Sequence, residues 1–98
     1  MTRNEALLLQ VSEEASEVAQ GASKCMRFGT EHMWPTRKGT AAARLYQEFL
    51  ELRALVEMCQ DAGMIQPCNL IMDRCTLEAK KERVEKYLAI SVELGCVK

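Results

Sequence analysis

The chain has 98 residues, 48% of them apolar, and a net charge of −1 at pH 7. That length allows one domain, 1–98, with a limited core if the chain stands alone. The composition excludes disorder, and the charge balance leaves no footprint for nucleic acid or an anionic membrane surface.

The first helix opens near Asn4, which can cap it, and Leu7, Val11, Ala15, Val18, Ala22 and Met26 recur at helical spacing. It ends near Phe28, with Gly29 as the breaker. Residues 29–40 form a loop, since Trp34 precedes Pro35 and so avoids the α region. Trp34 suits either a plug that fastens the loop or a wall of a nucleobase pocket, while His32 reads as an exposed loop residue. Thr40 caps a second helix, Ala41 to Asp61, with a stripe of Leu45, Phe49, Leu52, Val56 and Cys59 and a stop at Gly63. Residues 63–70 connect. Ile71 to Cys75 form a short turn or the start of a third helix, which is clear from Thr76 to Leu94 with Gly95 as its stop. Its stripe is Leu77, Val84, Leu88 and Ser91. No strand alternation and no internal repeat occur, so the fold class is all-α.

No apolar run approaches the ~20 residues of a membrane span, and nothing resembles a signal peptide. The five cysteines are odd in number and lack C-x-x-C spacing. They read as reduced thiols of a cytoplasmic protein, and with His32 they fit no zinc finger.

Carboxylates carry the chemical signal. Glu13-Glu14-Ala15-Ser16-Glu17 lies inside the first helical pattern, and Glu48 and Glu51 lie inside the second. Glu14 flanks the apolar stripe, with Glu17 one turn on beside it, and Glu48 points into the second stripe with Glu51 at its edge. Taken alone, each motif is also what a solvated helix face looks like. A carboxylate beside a buried stripe is costly unless something pairs it, and one cation can pair several. Two i, i+3 pairs on facing helices would meet in a hard-oxygen site suited to Mg²⁺, with Mn²⁺ as a substitute. Lys24, Arg27, Lys80 and Lys81 are placed to meet a polyphosphate, and Glu13 to orient or deprotonate a water. Lys80 and Lys81 would otherwise simply extend their stems over the buried face.

These residues resemble the MazG-like all-α nucleoside triphosphate pyrophosphohydrolases, whose signature is E-E-x-x-E, a spacer, then E-x-x-D. Ser23-Lys24-Cys25-Met26-Arg27-Phe28-Gly29 is similar to the S-K-x-x-R-F-G run of a compact, phage-type branch, and Ala79-Lys80-Lys81 before Val84 is similar to its third helix. The likeness covers residues 5 to 95. It departs from the pattern at Glu51, where the family has Asp, and at Ala41, where the branch has Asn. The resemblance implies a bundle of three main helices per chain whose four-helix core is completed by dimerisation, in a homodimer or homotetramer. It implies Mg²⁺ on Glu14, Glu17, Glu48 and Glu51. It also implies cleavage of a nucleoside triphosphate to the monophosphate and pyrophosphate, with a purine substrate such as dGTP, GTP or dATP, adjusting the nucleotide pool. The competing expectation is a non-catalytic helical dimer that binds a protein partner, with the glutamates as surface charge.

Overall fold

The computed structural model describes all residues, 1–98, and is all-helical: α1 Arg3–Phe28, α2 Ala41–Asp61 and α3 Leu70–Glu93. The chain divides into two compact units, Met1–Pro67 and Cys68–Lys98. No helix is long and apolar enough to cross a membrane.

The first unit is an antiparallel hairpin of α1 and α2. Arg3 at the start of α1 shares a cleft with Met58, Asp61 and Ala62 at the end of α2. Thr2, not Asn4, caps α1: its hydroxyl accepts from the Glu5 N–H at 3.1 Å while the Glu5 carboxylate accepts from the Thr2 N–H. This reciprocal capping box satisfies two end donors at once, which Asn4, inside the first turn, cannot do.

The buried seam differs from the sequence stripe in an instructive way. In α1 the line of covered positions runs Leu7, Val11, Glu14, Val18, Gly21 and Cys25, with Ala6 and Lys24 half-buried beside it; Ala15, Ala22 and Met26 face solvent, Met26 at 84% exposure. In α2 it runs Ala41, Leu45, Glu48, Leu52, Leu55 and Cys59, with Ala42, Arg44, Gln60 and the expected Val56 half-buried beside it, while Phe49 is exposed. Steps of four and three alternate in both helices. That mean of 3.5 keeps a seam facing its partner, whereas the apolar residues of α1 step mostly by four and walk around the cylinder. Apolar identity alone pointed to Ala22, Met26 and Phe49; the seam instead runs through Glu14, Gly21 and Glu48.

The loop between the helices is tied at both ends. The Ala41 N–H donates to the His32 carbonyl at 2.8 Å and the Ala42 N–H to the Thr30 carbonyl at 2.9 Å. The Thr40 hydroxyl takes the Ala43 N–H at 3.1 Å. Three donors at the start of α2 are thereby satisfied before its first helical bond, Arg44 N–H to Thr40 C=O. Phe28, His32 and Trp34 gather at the end of α1: His32 stacks on Phe28 at 5.3 Å, and Trp34 meets both rings edge-on. His32 is therefore a half-buried partner in a ring cluster rather than an exposed loop residue.

In the second unit α3 begins at Leu70, so residues 71–75 are its first turns rather than a separate element. Asn69 caps it, its side-chain oxygen accepting from Met72 N–H at 3.1 Å, and the Asp73 carboxylate accepts from Asn69 N–H at 3.2 Å. The helix stops in a Schellman turn: Gly95, at φ 79°, donates to Val92 C=O, and Cys96 N–H to Ser91 C=O. Gly63, at φ 77°, closes α2 in the same way through Gln60 and Cys59. No residue of α3 is buried; Leu77, Val84 and Leu88 are 53%, 40% and 42% exposed. The expected core stripe is thus an uncovered face, because a unit with one helix holds no second layer to bury it.

The seam makes a direct prediction for thermal or urea unfolding. Leu7→Ala is expected to cost about 2–5 kcal/mol as a core truncation. Met26→Ala, one of the apolar residues outside the seam, is expected to stay within about 0.5 kcal/mol. Equal losses at the two positions would contradict the alternating register.

Candidate functional site

Hydrophobic periodicity places Glu48 in the middle of α2's inner face, and the structure buries it at 9% exposure. It is the one charged residue so buried. Its Oε2 atom has no hydrogen-bond partner. The surroundings explain why. The carboxylate faces Gly21 of α1, where the helix offers no side chain and its backbone N–H groups are engaged within the helix. Leu45, one turn earlier in α2, closes in on the same spot from its own side. A bare carboxylate oxygen among apolar neighbours carries a desolvation cost of several kcal/mol unless a cation or donor meets it.

The other expected ligands divide by register. Glu14, two turns before Gly21 in the seam, is half-buried. Glu17 and Glu13 are exposed on α1. Glu51 is exposed on α2, and its Oε1 accepts from the Gln47 amide at 3.3 Å along the outer surface. The antiparallel contact of Gly21 with Leu45 and Glu48 puts Glu14 and Glu17 opposite the turns of α2 that follow Glu48. The side chains do not converge, however: no group of three or more Asp, Glu, His or Cys stands where one cation could take all of them. The orphaned Glu48 oxygen is thus the one feature here that asks for a cation, and no ligand cage for a divalent ion is preformed around it.

The basic candidates also separate. Lys24 is half-buried on α1, near Gly21, and Arg27 is exposed with its guanidinium 5.3 Å from the Phe28 ring centre. In the second unit Lys80 and Lys81 are exposed on α3, and Lys81 pairs with Glu78 at 3.5 Å, as does Arg74. These exposed pairs contribute at most about 1 kcal/mol and leave the lysine head accessible. Ala41 is buried at the start of α2.

Gly21 is the site residue that sequence reasoning passed over. Its signal was present: a glycine within a helical pattern costs about 1 kcal/mol against alanine and needs a packing reason. Comparison of the chain with known family models, with curated proteins and with solved structures returns no match.

An uncompensated buried carboxylate should be a liability when no cation is present. Glu48→Met, similar in length and without charge, is expected to raise the unfolding free energy in EDTA by about 1–3 kcal/mol. A loss of stability in a urea titration would mean that Glu48 has a partner in solution other than a cation.

Proposed function

We propose that this protein is a Mg²⁺-dependent nucleoside triphosphate pyrophosphohydrolase of the MazG-like kind, cytoplasmic and active as a homodimer or homotetramer. The single observation behind the reading is the buried, unpartnered Glu48 carboxylate oxygen in the α1–α2 seam. It is joined by the ordered set of motifs: E-E-x-x-E at residues 13–17, S-K-x-x-R-F-G at 23–29 and E-x-x-E at 48–51.

In this reading Glu14, Glu17, Glu48 and Glu51 hold Mg²⁺, or Mn²⁺ in its place. The bound ion would supply charge neutralisation and polarisation of the phosphoryl oxygens. Glu13, exposed beside the seam residue Glu14, orients a water and takes its proton. Lys24 and Arg27 meet the phosphate oxygens, as cationic groups on flexible stems. Attack by the water at the α-phosphorus breaks the bond to the α,β-bridging oxygen and releases the monophosphate and pyrophosphate. The substrate is a purine nucleotide, with dGTP, GTP or dATP first in order. Because the glutamates are not gathered in the structure, Glu14, Glu17 and Glu51 would have to turn toward Glu48 for the four to hold one ion.

A second copy is the natural cover for the apolar side chains that the chain leaves exposed. Only Leu7, Ala41 and Cys59 are buried hydrophobic residues, whereas Leu77, Val84 and Leu88 on α3 and Tyr46 and Phe49 on α2 lie open. So small a core is too little for a chain of this length standing alone. The same open face of α3 favours a second reading, a non-catalytic helical dimer that docks a protein partner.

Pyrophosphate release from the eight common NTPs and dNTPs separates the two readings. The enzyme reading expects metal-dependent pyrophosphate rather than orthophosphate, highest with a purine, and a fall of about a hundredfold or more in Glu48→Ala. A folded protein that releases none with either metal supports the docking module. Sedimentation should give a mass of two or four chains, and Leu77→Lys is expected to shift it toward one; a wild-type monomer at micromolar concentration would rule out the assembly.

A further inference from the structure

The α1–α2 hairpin is a layer with two unlike sides. Successive residues of a helix turn by about 100°. In an antiparallel pair the positions one residue after the seam therefore share one side of the layer, and those one residue before it share the other. On the first side stand Leu8, Ser12, Ala15, Ala19, Ala22 and Met26 of α1, all exposed. Beside them on α2 stand Ala42, Tyr46, Phe49, Arg53, Val56 and Gln60, with both aromatic residues exposed. Arg53 is the one charge on this side, and it is paired with Glu57 at 3.5 Å. The second side carries Glu13, Glu17, Lys24, Arg44 and Glu51.

Charge is also divided along the hairpin's length. Gly21 lies opposite Leu45 and Glu48, so Glu17 and Glu51 mark the middle. The half nearer the loop, residues 18–50, has five Lys and Arg against two Glu, a balance of +3. The other half, residues 1–17 and 51–67, has two Arg against seven acids, a balance of −5. Two such layers laid face to face about a two-fold axis can be aligned in two ways. With the loop ends together, like charge stands over like. With the loop ends opposed, each positive half lies over a negative one, and α1 runs antiparallel along the partner's α1.

We propose that the uncharged side of the hairpin pairs with the same side of a second copy, loop ends opposed, to make a four-helix core. The inference rests on the homodimer reading. It adds which face of the hairpin the copies share and in which direction. The α1 line suits the opposed direction, because it is bulky at both ends and small between them. Reversal about its middle sets Leu8 against the partner's Met26 and Ser12 against the partner's Ala22. On α2 the same reversal sets Tyr46 against the partner's Val56 and Arg53 over the partner's Phe49, so the one charge gains an aromatic face. The polar side, with Glu13, Glu17, Lys24 and Glu51, stays open in the pair.

The test uses the full chain, with sedimentation for the dissociation constant and circular dichroism for helix content and melting temperature. S12K and A22E each put a charge on a position that is exposed in the single chain, so the fold is kept. Each is expected to raise the dissociation constant about a hundredfold or more, because the charge enters the shared face unpaired. The double variant S12K/A22E is expected to regain most of that loss, since each new charge then meets its opposite on the partner. Within one chain the two positions are ten residues apart, about 15 Å along the helix, and cannot pair. Q20K, on the polar side, should leave the constant unchanged.

An assembly that neither single variant weakens overturns the inference and leaves the homodimer reading to the open face of α3. Weakening without rescue in the double variant overturns the opposed direction. A lower melting temperature at unchanged mass puts another segment of the same chain on this face and overturns the pairing. A wild-type monomer sinks the homodimer reading itself.

Discussion

The seam of the first unit accommodates one ionisable group at a position built for an apolar one. Glu48 occupies the centre of α2's inner face, between Leu45 and Leu52, and turns toward the one point on α1 that has no side chain. The seam is consequently not a hydrocarbon zipper. Its members in α1 and α2 include two carboxylates, a glycine, an alanine and two cysteines. Such a seam gains less from burial than leucines would give, at about 25 cal/mol per Å² of apolar area. It does keep two acids on facing helices in fixed register.

The second unit is organised by local means. A side-chain cap, a carboxylate that closes back on the cap residue, ion pairs among Arg74, Glu78 and Lys81 and a glycine stop define α3 without any buried side chain. Each device contributes a fraction of a kcal/mol to about 2 kcal/mol, enough to set where a helix begins and ends. Most of a helix's stability in a protein comes from packing of its apolar face, which α3 does not find within its own unit. The hairpin's own outer side is in a similar position, with Tyr46, Phe49 and Leu50 in the open.

The sequence made the helices legible because their ends are written in single residues. Thr40, Gly63 and Gly95 act where spacing placed them, and α2 runs from Ala41 to Asp61 as expected. What it left ambiguous was rotation about the helix axis. Met26 and Phe49 are apolar and lie near the seam, so periodicity counts them, yet contact between two helices depends on the alternation of four and three. That alternation is hidden when the seam residues are Glu14, Gly21 and Glu48. The burial of Glu48 was readable, since Leu45 and Leu52 bracket it. The exposure of Glu17 and Glu51 was not, because an i, i+3 spacing fixes a side of a helix and not the depth at which the partner helix sits. Thr2 was missed as a cap because Asn4 carries an equally good cap side chain, and the choice fell to the reciprocal bond with Glu5.

The tied loop has a consequence for any anion that comes near the hairpin. The start of a helix ordinarily offers bare amide hydrogens and the positive end of its macrodipole, a ready seat for an anion. At α2 that seat is taken: the carbonyls of Thr30 and His32 and the hydroxyl of Thr40 hold the amides of Ala41, Ala42 and Ala43. A phosphoryl group arriving near the hairpin therefore finds no backbone cradle at this corner. An anion at this corner would have to be met by side chains rather than by backbone amides.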